Sequence, residues 1–426
     1  MNISHIRTNR KSRKWNTLIS SFLLIIVLAA SYSCTKHDPD DGKLLVNSSS
    51  IAEYNLNQIS DIVEQNTGYR IEDVVSIISQ SVGSDLFETY LKLMSAKVLC
   101  FDRIVYKNVD ENCSALVIYP KGATLGKMLL GMHPTIGKAD EAPTKSLFSG
   151  EILFAYLDIC VVIPDYIGFG ESENKTHPYL HVESTAEDAI NAVLACREYF
   201  SQVKKMDIGR SLYISGYSEG GGNALAVQKV AERDHSASIS LKKVYCGGAP
   251  CDLVETFNYV IANDNSDYPY GIAMVPIGLD AGDKLNLDFS KIFSGKLAAN
   301  YKEWILSKKY HTYQVNDFIG STSIKDYMHP DLFTAEGNSE INKLKKSIAD
   351  NSLVNGWTPI APIFMVHGTA DMTVPYINAV NAFNSFKSKG CDITLMPADN
   401  CDHSKAFFYY LYHVFLNLIQ NTSASE

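Results

Sequence analysis

The sequence predicts an α/β fold in which a mostly parallel central sheet is covered by helices on both faces. Short, largely apolar runs such as Met128–Met132, Ile159–Pro164 and Ser211–Ser215 are typical of strands that are buried on both sides. Helical sequence such as Thr185–Phe200 separates these runs, as in βαβ units. The strand pattern then disappears over residues 252–357, which indicates a large helical cap insertion.

The composition is that of a large globular protein. The 426 residues are 46% hydrophobic and 20% charged, and their formal net charge is −9. A chain of this length can bury a deep core. These proportions exclude a disordered chain, a collagen-like repeat and a multi-span membrane protein. Since nucleic-acid-binding domains carry excess Lys and Arg, no nucleic-acid partner is expected.

The chain begins with a basic and then apolar leader. Residues 1–33 contain five Lys or Arg and no acidic residue, so the rest of the chain carries −14. The apolar run over 22–30 has the length of a signal-peptide h-region and is too short to cross a bilayer. Small residues precede Cys34, and the stretch resembles the lipobox of bacterial lipoproteins. We predict a signal peptide over 1–33 and a lipid anchor at Cys34. Plain secretion, with Cys34 as an ordinary thiol, is the alternative.

Residues 34–50 are acidic at first and serine-rich later, which predicts a flexible tether. Acidic residues directly behind a lipidated cysteine resemble the export signals of surface lipoproteins in some Gram-negative bacteria. The resemblance implies an exported lipoprotein that is bound to the outer membrane through Cys34. It leaves the periplasmic and the extracellular face both open.

The spacing of apolar residues divides the rest of the chain into three regions. Residues 51–100 have apolar residues at helical spacing, which predicts an N-terminal segment of two or three helices. Residues 101–251 and 358–420 contain the predicted strands and helices of the core, and residues 252–357 form the cap insertion. The later core strands and helices are predicted at Val244–Cys246, Ile360–Val366, Pro375–Ser388, Ile393–Met396 and Ser404–Gln420.

Eight cysteines remain after Cys34. Three pairs are near enough in sequence to be candidate disulfides in an oxidising compartment, although spacing does not establish pairing. They are Cys100 with Cys113, Cys246 with Cys251, and Cys391 with Cys401. Cys160 in an apolar strand and Cys196 in a helix are expected as buried thiols. Because no doubled CxxC spacing occurs, we expect no metal, and no cofactor is indicated.

One motif points to nucleophilic catalysis. Gly216-Tyr217-Ser218-Glu219-Gly220 is the only G-x-S-x-G in the chain. An apolar strand runs into it, and a glycine-rich helix start follows it directly. A nucleophile elbow requires this strand-turn-helix setting, because the serine sits at a strained turn that only glycine neighbours permit. Ser218 is therefore the predicted nucleophile. A passive serine in a glycine-rich turn is the alternative.

A serine nucleophile needs a base and an acid, which follow it in the order acid then histidine in a hydrolase fold. Asp371 follows the predicted strand that ends at His367-Gly368, and His403 lies directly before the last helix. Of the histidines after Asp371, His413 is embedded in an apolar helix, where packing is expected. His367 is expected to be structural. The loop acids Asp399 and Asp402 lie nearer to His403 in sequence, yet such acids are usually solvated.

An oxyanion hole needs two fixed N–H donors. The backbone N–H of Glu219 is the first candidate, because it follows the nucleophile. The second should come from the loop after the early strand at 128–132 or from Asp165 after the next strand. Within that loop Pro134 has no N–H, so Thr135 is the better donor.

These residues resemble the secretory lipase family of α/β-hydrolases, whose best-known members are fungal lipases of the lipase A type. The resemblance rests on four stretches that span roughly residues 100–420. They are Ile163-Pro164-Asp165-Tyr166-Ile167-Gly168-Phe169-Gly170, Gly216-Tyr217-Ser218-Glu219-Gly220-Gly221, His367-Gly368-Thr369-Ala370-Asp371 with Val374-Pro375-Tyr376, and His403. The resemblance implies an α/β-hydrolase fold, a Ser218–Asp371–His403 triad and a large cap. It also favours Asp165 over Thr135 as the second oxyanion donor.

The sequence departs from the family in two places. Glu219 stands where a small or neutral residue, often Gln, is usual, and HPTIG over 133–137 replaces the commoner HGTTG. The Glu219 carboxylate is expected to be exposed and without a role, and repulsion of anionic substrates is the alternative. The aromatic residues of the cap are expected to form mainly its core, and the acidic run over 263–267 is expected to be a solvated loop.

The predicted function is that of a serine carboxylic ester hydrolase that works through an acyl-enzyme. Its partner would be an ester of a lipid, an acylated glycan or an aryl alcohol. Two alternatives remain: a non-catalytic surface binding lipoprotein that keeps the hydrolase fold, and a serine peptidase of the same fold.

Overall fold

The computed structural model describes residues 43–423 and has a nine-stranded sheet at its centre. The sheet order is β1-β2-β3-β5-β4-β6-β7-β8-β9. The first three neighbouring pairs are antiparallel, and the five from β5/β4 to β8/β9 are parallel. The strands are β1 (Leu45–Asn55), β2 (Val98–Lys107), β3 (Asn112–Pro120), β4 (Met128–Met132), β5 (Cys160–Pro164), β6 (Ser211–Tyr217), β7 (Ser240–Gly247), β8 (Ile363–Gly368) and β9 (Ile393–Ala398).

Helices precede, connect and follow these strands. In chain order they are α1 (Leu56–Thr67), α2 (Ile71–Val82), α3 (Leu86–Met94), α4 (Pro143–Ser146), α5 (Ile152–Ala155), α6 (Val182–Tyr199), α7 (Glu219–Asp234), α8 (Leu253–Asn263), α9 (Pro269–Asp283), α10 (Gly295–Tyr301), α11 (Thr312–Ile319), α12 (Ser339–Asp350), α13 (Ile377–Ser388) and α14 (His403–Ser423).

The sheet separates two apolar layers, which explains the continuous apolar runs in its central strands. Every residue of β4 and β5 is buried. One face of the sheet packs against α6, α7 and α13, and the other packs against α1 to α3, α5 and α14. A strand that is covered on both faces gains from an apolar side chain at every position. The predicted α/β fold with its mostly parallel sheet is therefore confirmed.

The chain between β7 and β8 forms a helical cap that contains α8 to α12. The cap has an apolar core of its own, in which Phe293, Leu297 and Tyr327 are almost completely buried. Tyr179 and Leu180, from the connection between β5 and α6, belong to this cap core as well. The cap is thus packed onto the connection that follows β5.

The prediction of a flexible tether over residues 34–50 is wrong for its last six residues. Residues 45–50, including the serine run, lie in β1, which is an edge strand that pairs antiparallel with β2. Ser48 lies opposite Ile104 and is buried. The small polar side chains suit a strand with one free edge, and the partner that supplies its hydrogen bonds lies about fifty residues away in sequence. Local composition therefore could not distinguish this strand from a linker.

The three candidate disulfides do not form, since all eight cysteines from Cys100 to Cys401 are buried free thiols. Cys100 lies opposite Tyr119, so Cys113 is six residues farther along β3, a separation of roughly 20 Å in extended chain. Cys391 and Cys401 flank the two ends of β9. Two cysteines can be bridged only when their Cα atoms lie within about 7 Å of each other. Short spacing in sequence is misleading here because extended strand residues lie between the members of these two pairs.

The predicted signal peptide, Cys34 and the first part of the tether lie outside the described residues. Within residues 43–423, none of the helices is both long enough and apolar enough to cross a membrane.

Candidate active site

Ser218 lies at a strained turn between β6 and α7. Its backbone has φ 59° and ψ −126°, a conformation that few residues other than glycine adopt. The turn requires glycine on both sides: a Cβ at Gly216 would lie 2.1 Å from Gly220 O, and a Cβ at Gly220 would lie 2.0 Å from Met132 O. The Ser218 N–H donates to Gly247 O at 2.8 Å. These contacts hold the serine at the carboxyl end of the sheet.

The structure brings Ser218, His403 and Asp371 together in one hydrogen-bonded chain. His403 Nε2 lies 2.9 Å from Ser218 Oγ, and His403 Nδ1 lies 2.6 Å from Asp371 Oδ2. Because a carboxylate only accepts, Nδ1 carries the proton and Nε2 is free to accept the serine proton. The three residues come from the ends of β6, β8 and β9, which are separated widely in sequence but lie in the same half of the sheet.

Asp371 is held as a carboxylate. Its Oδ1 accepts from the N–H groups of Thr373 at 3.0 Å and Val374 at 2.8 Å. Burial opposes its ionisation, but the neighbouring His403 and His367 outweigh burial and hold the pKa of the Asp371 carboxyl below its usual value. The acid is thus fixed in orientation and remains charged.

His403 is the first residue of α14, and several acidic residues affect its pKa. Burial alone would lower its pKa, but Asp371, with contributions from Asp267 and Asp402, raises the pKa of His403 above the ordinary value. Tyr217 supports the loop by donating its OH to His403 O at 2.6 Å. The imidazolium that forms during proton transfer would be stabilised by the same charges.

The other candidate acids and histidines are not part of the hydrogen-bonded chain from Ser218 to Asp371. Asp402 caps α14 by accepting from Lys405 N–H at 2.8 Å, and Asp399 is exposed. His367 Nε2 lies 2.8 Å from Val374 O and 3.4 Å from Asp371 Oδ2, so His367 supports the acid. The ring of His413 packs against Phe364 and Tyr412.

The prediction that Asp165 is an oxyanion donor is wrong. Its backbone N–H donates to Ser114 O at 2.9 Å, so the hydrogen that the role requires is already engaged. Its buried carboxylate accepts from Ser114 Oγ, Thr144 N and Thr144 Oγ1 at 2.5 to 2.8 Å. Asp165 therefore organises the turn after β5.

Two other N–H groups remain for an oxyanion. Neither Glu219 N–H, at the start of α7, nor Thr135 N–H has a hydrogen-bond acceptor among the described residues. The loop that contains Thr135 lies against the start of α7, because Gly220 contacts the backbone of Met132 and His133. Thr135 Oγ1 is within 3.2 Å of Tyr179 OH.

The side chain of Glu219 is neither exposed nor free to repel a substrate. It is 1% exposed, and its Oε1 lies 2.8 Å from His177 Nε2 and 3.3 Å from Asn223 Nδ2. Sequence reasoning did not find His177, because it is 42 residues before its partner and lies in the connection between β5 and α6. The only available sequence signal is the acid directly after the nucleophile, and because the sequence predicts that this acid is exposed, it does not predict a partner.

The cap contributes one acid close to the triad. Asp267, in the connection between α8 and α9, accepts from Thr373 Oγ1 at 3.0 Å. The sequence predicts Asp267 only as part of a solvated acidic run. Asp264 in the same run accepts from Ser323 Oγ and Lys325 N–H, both at 3.0 Å. Throughout residues 43–423, no cluster of three or more His, Cys, Asp or Glu side chains is arranged to hold a metal ion.

Comparison with known proteins places this fold and sequence in a family. Residues 156–410 match the family described as Secretory lipase. No curated protein matches the chain by sequence. The rice cell wall degrading esterase LipA from Xanthomonas oryzae has a similar structure, with a TM-score of 0.71 and 22% identity over 89% of this chain and 97% of that chain. A mutant form of the same esterase gives a TM-score of 0.72 and 20% identity over 90% and 99% of the two chains.

A lipase has a similar fold, with lower structural similarity than the esterase. Candida antarctica lipase A gives a TM-score of 0.57 and 16% identity over 72% of this chain and 73% of that chain. The structural likenesses establish the α/β-hydrolase fold, and the matching family is described as that of a secretory lipase. By the match over residues 156–410, this chain belongs to the secretory lipase family.

Proposed function

We propose that the protein is a serine carboxylic ester hydrolase that works through an acyl-enzyme. The observation that carries the proposal is the hydrogen-bonded chain Ser218–His403–Asp371, with distances of 2.9 and 2.6 Å. The strained elbow at Ser218 supports it, because an ordinary turn would not need this backbone conformation.

The proposed reaction has two halves. Ser218 Oγ attacks the ester carbonyl while His403 Nε2 takes its proton and then gives it to the departing alcohol. The acyl group remains on Ser218. A water molecule then attacks the acyl-enzyme, with His403 again as base, and releases the carboxylic acid. Asp371 keeps the proton on His403 Nδ1 and stabilises the imidazolium in each half.

The oxyanion would be bound by two backbone donors. The Glu219 N–H is the first, and the Thr135 N–H takes the second role, because each lacks another acceptor among the described residues. In a water-excluded site, each such donor can account for about 10²- to 10³-fold in rate.

Substitution of the nucleophile tests the proposal. Ser218→Ala should lower kcat on short nitrophenyl esters by at least about 10³-fold, because the residual rate would come from the oxyanion hole and binding alone. A fluorophosphonate probe should label the parent protein at Ser218 and leave the variant unlabelled. A folded parent protein that neither hydrolyses these esters nor takes the label would instead be a binding protein.

The substrate class needs a separate measurement. Rates on nitrophenyl esters of increasing acyl length, beside an acetylated glycan and a peptide substrate, distinguish the lipid, glycan, aryl-ester and peptidase hypotheses. Cleavage of the peptide but of none of the esters would contradict the ester-hydrolase proposal.

The proposed location is the outer membrane, with Cys34 as lipid anchor. Support comes from the basic leader, the apolar run and the small residues before Cys34. Labelled palmitate should be incorporated into the parent chain and not into Cys34→Ala. Equal incorporation in both would contradict anchoring through Cys34.

A further inference from the structure

Glu219 and His177 form a buried polar pair directly beside the nucleophile. Their side chains are 1% and 5% exposed, and the Oε1–Nε2 distance is 2.8 Å. Glu219 is the residue whose backbone N–H would bind the oxyanion, so any charge on its side chain lies close to the reacting carbonyl.

The two hydrogen bonds made by the His177 ring require two protons on this pair. His177 Nδ1 lies 2.9 Å from Ile167 O, and a carbonyl oxygen can only accept, so Nδ1 is protonated. A second proton must lie between His177 Nε2 and Glu219 Oε1 at 2.8 Å, on one atom or the other. The pair is then either an imidazolium with a carboxylate or a neutral imidazole with a carboxylic acid. Its total charge is zero in both cases.

The same pair connects the two proposed oxyanion donors. The His177 ring stacks on Tyr166 at 5.6 Å, and Tyr166 stacks on His133 at 3.8 Å. Tyr166 OH also donates to His133 O at 2.9 Å. Because His133 lies two residues before Thr135, these contacts run from the Glu219 side chain to the loop that contains the second donor.

We propose that His177 is a positioning residue of the oxyanion hole, which keeps the Glu219 side chain from carrying an uncompensated negative charge and fixes the Glu219 N–H in place. This inference rests on the proposed function. A developing oxyanion is stabilised by N–H donors and opposed by any nearby negative charge, and both effects are large where water is excluded. Without His177, a carboxylate would remain one residue from Ser218 with only the Asn223 amide as partner.

The test is a pair of substitutions. His177→Gln keeps a hydrogen-bonding side chain but cannot carry the compensating charge. It should lower kcat on nitrophenyl acetate by about 10- to 100-fold and change KM by less than about threefold, because the charge acts on the transition state. Adding Glu219→Gln removes the uncompensated charge, so the double variant should recover most of the lost kcat.

Controls separate charge cancellation from loss of structure. His235 pairs with Glu187 at 3.2 Å, and both side chains are partly exposed, so His235→Gln is a matched change that should leave kcat unaltered. Circular dichroism and thermal melts verify that each variant is folded. If His177→Gln fails to fold, the single variant Glu219→Gln tests the proposal. The charge hypothesis predicts that its kcat falls by less than about tenfold, and a larger fall in kcat of a folded variant overturns the hypothesis.

Two outcomes overturn the inference while the proposed function stands. One is a His177→Gln enzyme with normal kcat. The other is a double variant that is as slow as His177→Gln, which would mean that the charge of Glu219 is not the cause. If the parent protein takes no fluorophosphonate label at Ser218, the proposed function fails instead.

Discussion

His403 shows how single charges set the chemistry of the site. Its pKa is raised above the ordinary value because the acids around it, Asp371 first among them, outweigh the effect of burial. Asp267 is one of these acids, although it belongs to the cap and lies 104 residues before Asp371 in sequence. The cap therefore affects the proposed catalytic base through charge.

Asp267→Asn should move the acidic limb of the kcat/KM profile to lower pH. The substitution removes a negative charge that raises the pKa of His403. His403 therefore loses its proton at a lower pH and can act as a base from that lower pH upward. The expected shift is downward and small, because water partly screens the Asp267 charge. Asp110→Asn, an exposed change in the β2–β3 turn, should leave the limb in place. A limb that moves upward, or equally in both variants, would contradict this role of Asp267.

The backbone role of Glu219 can be predicted from its position in the sequence, but the environment of its side chain cannot. The motif identifies its position beside the nucleophile, and its backbone role follows from that position. The state of its side chain depends on His177, which no local pattern connects to it. The prediction that the Glu219 carboxylate is exposed is therefore wrong, because the side chain is buried and paired with His177.

The turn from β6 into α7 is the element on which the site depends. Two glycines allow the end of β4, the nucleophile and the start of α7 to approach one another within backbone contact. Sequence predicts this element well, because the constraint acts over five consecutive residues.

Gly220→Ala should destabilise the protein and reduce activity. The added Cβ would lie 2.0 Å from Met132 O, which is backbone and cannot move aside alone. We expect a loss of about 2 to 4 kcal/mol in the free energy of unfolding, measured by urea denaturation. Gly126→Ala is the matched control, because its Cβ would meet no atom within 4 Å. Equal stability of the two variants would show that β4 and α7 are not in such close contact.

Element boundaries were predicted less well where tertiary contacts set them. The helix predicted from Thr185 begins at Val182, because His181 caps it by accepting from Ser184 N–H. His181 also reaches Asp283 of the cap at 3.1 Å. The start of α6 is thus stabilised partly by a chain segment about one hundred residues away.

The whole molecule is a hydrolase core with a cap that is attached through buried polar contacts. Lys308, in the cap, is 8% exposed and donates to the carbonyl oxygens of Gly168, Glu173 and Lys175 in the connection after β5. His311 in the cap lies 2.8 Å from Glu141, which also accepts from Gly137 and Lys138 N–H in the loop that follows Thr135.

Lys308→Met should weaken attachment of the cap. The variant keeps an apolar stem of similar length but leaves three carbonyl oxygens without their donor, at a cost of about 2 to 4 kcal/mol. A lower melting temperature and faster cleavage of the cap by a trace of protease are expected. Lys309→Met removes the neighbouring exposed lysine, which pairs with Glu303, and should behave as the parent does. Identical protease resistance in the two variants would contradict anchoring by Lys308.

The sequence by itself determined the fold class and the family, and it predicted Ser218, Asp371 and His403 as the triad, because period, motif and order along the chain can be recognised without knowing which segments pack together. Only the tertiary structure decided that residues 45–50 form an edge strand, that the candidate disulfides do not form, that the Asp165 N–H is engaged and that Glu219 is paired with His177. Each of these depends on which distant segment lies alongside. Burial and hydrogen-bond satisfaction are set by that neighbour and not by the residue's own sequence context.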